Sequence, residues 1–241
     1  LGAYGNVPNA KDILSTVVAQ LGQEMVIKQV NSEGQSSYTV TANIPVKEGG
    51  DVIPLTSVLR YYMEFSDPTK TKYTWNQFMP NAQDQFVAEK LAMYIGYFGE
   101  GKTMKERNQK VDFDATYLPQ TKDYNTFVTG MRMYGFATLR VAKNPNVALK
   151  VESDFGSLNW SGQIASIIGA VPPHKAYVTQ QGVPEVLRRS NLVARGWFDI
   201  KPQVSSQVFE QMIREVTSGK SDITDAVQSF VSRLQDKYTG Q

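Results

Sequence analysis

Apolar positions recur along this chain with two different periods. Ile13, Leu14, Val17, Val18 and Leu21 fall at helical spacing behind Pro8, a good first-turn residue, and ahead of Gly22, a stop. Met25–Val30 and Ser37–Ile44 alternate apolar and polar residues around Ser32-Glu33-Gly34, which predicts a hairpin. Lys47-Glu48-Gly49-Gly50 reads as a loop, and Pro54–Phe65 as a helix with Tyr61, Tyr62 and Phe65 on an aromatic face. An amphipathic segment ending at Phe86 then leads to an alternation of periods. Strands are predicted at Leu91–Ile95, Phe113–Leu118 and Met131–Val141, and helices at Thr103–Gln109, Asn146–Phe155 and Ser161–Ile168. Pro172-Pro173 breaks the chain. Three more helices follow at Pro184–Ala194, Ser205–Thr217 and Ile223–Tyr238, the last two separated by a Gly219 C-cap and an Asp222 N-cap. Strand alternating with helix argues for an α/β fold.

Composition narrows the function classes. The 241 residues allow one large domain or two small ones. Twenty-five basic and 23 acidic side chains are interspersed, for a net charge of +2, with no basic block for nucleic acid and no polybasic tail for a membrane surface. Apolar runs fall short of the ~20 residues of a membrane-spanning helix. The lack of Cys removes thiolate nucleophiles, disulfides and sulfur ligands for metals. Tyrosine, phenylalanine and tryptophan are frequent in predicted loops, where an aromatic face can pack on the C–H patches of a sugar.

The stretch Tyr73–Gly96 carries the densest signal. It holds Thr74-Trp75-Asn76-Gln77-Phe78-Met79-Pro80-Asn81, a helix end at Phe86-Val87-Ala88-Glu89-Lys90, and Ala92-Met93-Tyr94-Ile95-Gly96-Tyr97. This order resembles the extracellular solute-binding proteins of ABC importers, the carbohydrate branch that includes the maltose-binding protein. Relatives there carry a TWN-x-x-MPN loop, a helix ending in F-x-x-G-K and a strand like AMYFGY. Glu89 stands where they have Gly, a departure that bears on the turn. The opening Leu1–Val7 with Lys11–Leu14, Arg60–Pro68, Tyr117–Gln120, Met133–Ala137 with Lys143-Asn144-Pro145, and Phe209–Gly219 extend the likeness over most of the chain.

The resemblance implies a type II periplasmic-binding-protein-like C-terminal lobe built from 1–125 and 176–241. Residues 126–175 would be a crossover segment completing an N-terminal lobe, the rest of which is missing here. It implies non-catalytic capture of a small extracellular solute, a carbohydrate, for delivery to an ABC permease by two-lobe closure. No cofactor is called for. The location is extracellular or periplasmic, with lipoprotein anchoring through an absent N-terminal region. On this view 126–175 packs on a partner polypeptide or is poorly ordered. The ligand-binding candidates are Trp75, Asn76, Tyr97, Phe98, Glu100 and Trp197, with Tyr4, Asn6 and Tyr134 as further contributors. An indole gives a flat apolar face, and a carboxamide both donates to and accepts from vicinal hydroxyls. For Trp75, packing beneath its own loop is an equal alternative, and for Trp197, packing in the core.

Two other classes compete. Gly96-Tyr97-Phe98-Gly99-Glu100-Gly101-Lys102-Thr103 fits G-x-x-x-x-G-K-[ST] between a predicted strand and helix, the context of a phosphate-binding loop in a nucleotide hydrolase. Against it, no later strand runs through four apolar residues to Asp; Val111-Asp112-Phe113-Asp114 alternates. The second class is a surface-assembly protein on a solute-binding scaffold that has lost its ligand. Catalysis has little to build on. His174 is the sole histidine and sits in a Pro-rich loop, and the Asp112/Asp114 pair reads as solvated edge charges.

Overall fold

A computed structural model describes residues 1–45, 54–122, 127–178 and 183–239. It is helix-rich with small sheets, and it divides into two compact units. Unit 1 comprises 1–95, 118–130 and 195–241; unit 2 comprises 96–117 and 131–194. The Lys47-Glu48-Gly49-Gly50 loop lies outside the described residues.

Unit 1 contains α1 (Ala10–Gln20), β1 (Val26–Val30), β2 (Ser36–Val40), α2 (Pro54–Met63), α3 (Ala82–Val87), β3 (Thr129–Gly130), α9 (Pro202–Thr217) and α10 (Ile223–Thr239). β4 (Ala194–Arg195) pairs with β3. The period-3.6 stripes of α1, α2, α9 and α10 converge on one core in which Leu14, Leu55, Leu59, Phe209, Met212, Phe230 and Leu234 are fully buried. Phe209 and Phe230 meet edge-on with centroids 4.6 Å apart, tying α9 to α10. β1 and β2 form the expected antiparallel hairpin, in register Val26↔Val40 to Val30↔Ser36. The outer edge of β2 is closed by a side chain: the Gln235 carboxamide on α10 accepts from Val40 N–H (2.8 Å) and donates to Tyr38 O (2.9 Å).

The α3 terminus answers the question raised by Glu89. Lys90 N–H bonds Gln85 O (2.8 Å) and Glu89 N–H bonds Phe86 O (3.0 Å), the paired bonds of a Schellman turn. Glu89 holds the left-handed position at φ 59°, so the turn is as tight as a glycine would make it, with the Cβ strain accepted.

Unit 2 contains α4 (Glu100–Arg107), α5 (Pro145–Phe155), α6 (Leu158–Ile168), α7 (Lys175–Val178) and α8 (Glu185–Leu192). Among its described residues the buried ones are Met104, Val111, Ser161 and Ala165. α5 and α8 bury none of theirs.

Three expectations are corrected. Leu91–Ile95, Phe113–Leu118 and Met131–Val141 form no strand ladder, and among the described residues the sheets are two-stranded, the hairpin antiparallel. The reason is visible in the 131–141 segment. Phe136 packs on Phe155 (centroids 4.9 Å), and Thr138 donates from N–H (3.0 Å) and Oγ (2.7 Å) to Glu152. Met133, Leu139 and Val141 are bare at 84, 71 and 86% exposure, and Tyr134 and Phe136 on the other phase are 73 and 52% exposed. A strand pattern is present, Phe136 and Thr138 touch α5, and among the described residues no neighbouring strand completes a ladder.

Candidate functional site

The Trp75 loop in unit 1 is built from the inside. Thr74 and Trp75 N–H both bond Phe65 O (2.9 and 3.1 Å), and Met79 N–H closes a turn on Asn76 O (3.2 Å). The Trp75 indole N–H donates to Pro80 O (3.2 Å) while the ring packs partly against the core. Asn76 spends both ends of its amide locally: Nδ2 donates to Tyr73 OH (2.9 Å) and Oδ1 accepts from Phe78 N–H (3.0 Å). Asn81 caps α3, accepting from Gln83 N–H at 2.9 Å. The loop therefore exposes the Phe78 ring while the amide of Asn76 and the indole N–H of Trp75 are turned onto the loop itself.

Asn6 joins this loop. Its Nδ2 donates to Asn76 O (2.8 Å) and Met79 O (2.6 Å), and its backbone carbonyl accepts from Ala82 N–H (2.8 Å). Tyr4 and Trp197 pack at the edge of the core. Burial is the main cause raising the Tyr4 hydroxyl to about 12; the Ser206 hydrogen bond opposes it, and Glu210, Asp12 and Asp199 add to it. Trp197 meets Phe209 edge-on (6.4 Å) and lies under the Lys11 ammonium (5.9 Å).

The remaining candidates belong to unit 2. Tyr97 carries the Arg132 guanidinium over its ring at 4.5 Å, and its N–H donates to Glu100 Oε1 (3.2 Å) at the start of α4. Phe98 and Tyr134 are exposed. The structure thus gathers Asn6, Trp75 and Asn76 into one cluster, and Tyr97 with Glu100 into another.

One glycine of the G-x-x-x-x-G-K-[ST] match, Gly99, has steric work of its own. A Cβ at Gly99 would come within 2.5 Å of Gly169 O, the C-cap of α6, and one at Gly101 would meet the Phe113 ring at 3.5 Å. Residues 101–103 lie inside α4, and a carboxylate, Glu100, takes the loop N–H of Tyr97.

A buried polar knot in unit 1 escaped the sequence reading. Asp199 accepts from Lys11 Nζ (2.8 Å) and Ser205 Oγ (2.6 Å) on one oxygen and from Tyr238 OH (3.0 Å) on the other. Burial first, then Asp199, raises the Tyr238 hydroxyl well above the usual phenol range. Lys11 and Ser205, 3.2 Å apart, have the spacing of a Ser–Lys pair, yet Ser205 is 0% exposed and meets no substrate. The knot fastens α1, α9 and α10. No local signal marks it, because its members are 188 residues apart.

His174 bonds Gly156 O (2.8 Å) as a loop tie, and Asp112 and Asp114 are exposed. Among the described residues no group of three His, Asp or Glu can hold a metal, and no helix is long and apolar enough to cross a membrane. Compared with protein-family models and with curated proteins, the chain matches none.

Proposed function

We propose that this chain is the C-terminal lobe and crossover segment of a two-lobe solute-binding protein of the ABC-importer type. It captures a small extracellular solute, a carbohydrate by the chemistry of its loop, and passes it to a membrane permease. The carrying observation is the bare strand-patterned segment of unit 2. Met133, Tyr134, Leu139 and Val141 are 71–86% exposed, and Phe136, although it touches Phe155, is itself 52% exposed. An apolar segment bare on both phases, with no ladder of its own, is left when the strands that would pair with it and the layer that would cover it belong to another part of the molecule. The missing N-terminal lobe is the proposed source of those strands.

The Trp75 loop supports the ligand class. The polar atoms of the Trp75 and Asn76 side chains are used internally, so what these two offer is stacking surface, which suits the C–H face of a sugar ring. Hydroxyl recognition then falls to other residues, including those of the missing lobe. Closure needs contacts from both lobes, so half a cleft binds weakly.

The test is the intact mass of the polypeptide from its source, followed by titration of that polypeptide with a carbohydrate panel read by tryptophan fluorescence. A mass roughly twice 26.9 kDa, with a fluorescence change lost in Trp75→Ala, is expected. A mass near 26.9 kDa and no response to any sugar refutes the transport reading and leaves surface assembly, which uses the same bare segment. Sugar binding by the 241-residue chain as tight as by the whole polypeptide refutes the two-lobe account.

A further inference from the structure

We propose that Asn6 is a positioning residue for the Trp75 loop. It holds the loop from below through the two N–H bonds of its amide and does not touch the solute. What the loop is for rests on the solute-binding reading; the clamp itself does not.

The geometry has three parts. The Asn6 donors reach Asn76 O and Met79 O, the two carbonyls of one turn, across 70 and 73 residues of sequence. The Asn6 carbonyl takes the N–H of Ala82, the first residue of α3, so the same residue grips both ends of the loop's second half. The segment carrying Asn6 is itself anchored. The buried Tyr62 hydroxyl donates to Ala3 O (2.7 Å), and Gly2, at φ +95°, lies so close to Ser66 that any Cβ would strike its backbone. The clamp therefore runs from α2 through 2–6 to the loop.

The orientation of the amide is fixed by its surroundings. Reversing it would aim Oδ1 at two carbonyl oxygens. As it stands, Oδ1 is buried with no hydrogen bond to the protein, so the amide's polar contact runs through Nδ2. A buried acceptor is out of reach of a solute hydroxyl. This separates the clamp from direct ligand contact, two roles that residue type alone does not distinguish.

Asn6→Asp tests it in the full-length polypeptide, because aspartate keeps the shape and the acceptors but has no donors when ionised. Asn6→Ala is the second variant, free of the added charge. Hydrogen exchange over 74–82 should accelerate about tenfold or more in both variants, as loss of two hydrogen bonds implies, while protection in α9 and α10 is unchanged. The anisotropy of Trp75 fluorescence, read with Trp160→Phe and Trp197→Phe in the background, should fall. Wild-type exchange over 74–82 in both variants overturns the clamp, as does an equal acceleration in α9 and α10. With a sugar in hand, unchanged affinity in a variant whose loop has loosened overturns the positioning role. Absence of sugar binding in the wild type removes the solute-binding reading and leaves the exchange result to decide the clamp alone.

Discussion

Replacing Asp199 with Asn should be among the most damaging single changes in unit 1. Lys11 and Asp199 are each 13% exposed as side chains, and their 2.8 Å contact shares its oxygen with the fully buried Ser205 hydroxyl. Asparagine keeps the volume and can still accept from Tyr238, but it leaves the Lys11 ammonium buried without its counter-charge. Breaking one partner of such a pair costs ~3–5 kcal/mol, a large share of the ~5–15 kcal/mol that holds a domain together. With a urea slope of ~2 kcal/mol/M, the unfolding midpoint should drop by roughly 2 M at constant slope. Far-ultraviolet circular dichroism measures it directly, since α1, α9 and α10 meet at the knot. The Lys11→Met/Asp199→Leu double variant removes both charges and should recover most of the loss, as apolar replacements of buried pairs do. A midpoint shift below ~0.3 M for Asp199→Asn, or a double variant as damaged as the sum of its singles, would refute the reasoning.

Three further outcomes are expected. The Arg233 fork first, with Gln211 and Lys220 behind it, holds the Glu215 carboxyl below the usual range; the folded state then binds fewer protons than the unfolded, so this stability is present above ~pH 4.3 and is lost as pH falls through the lowered value. Glu215→Gln should flatten that acid limb in a pH series of urea midpoints, and an unchanged limb counts against the fork. Met93 and Met133, 83 and 84% exposed, should oxidise quickly in peroxide in the 241-residue chain; Met133 should be protected in the full-length polypeptide if other strands cover it, which peptide mass spectrometry reads. Glu89→Gly removes the Cβ strain at φ 59° and should raise stability by ~1 kcal/mol, whereas a loss would show that the Glu89 side chain contributes more than its backbone costs.

The helical half of unit 1 was legible because helix formation is local. The stripes of α1, α2, α9 and α10 and the caps around Gly219 and Asp222 lie within a turn or two of each other, and their boundaries fall within a few residues of the pattern. The hairpin was legible for the same reason: its partners are separated by one short turn. Leu91–Ile95 and Met131–Val141 failed because alternation reports only that a segment can line a pleated surface. Whether a neighbouring strand exists is not written in the segment. At the candidate site, Trp75 and Asn76 were found by residue type, but residue type does not say where an amide's hydrogen bonds go. Asn76 turns inward, and Asn6 acts across 70 residues. The Lys11–Asp199–Tyr238 knot joins both ends of the chain and has no spacing to detect.

Gln235 gives the hairpin a handedness of growth. Its carboxamide offers β2 one acceptor and one donor, at the spacing a third strand would use, from a helix that cannot be displaced without opening the core. Another polypeptide approaching from that side finds Val40 N–H and Tyr38 O already occupied. On the opposite side, Val26, Lys28 and Val30, paired in register with Val40, Tyr38 and Ser36, turn their remaining backbone groups away from β2. Strand addition on the β2 side would first have to displace this amide, so a single glutamine, by imitating a peptide bond, weights growth toward β1.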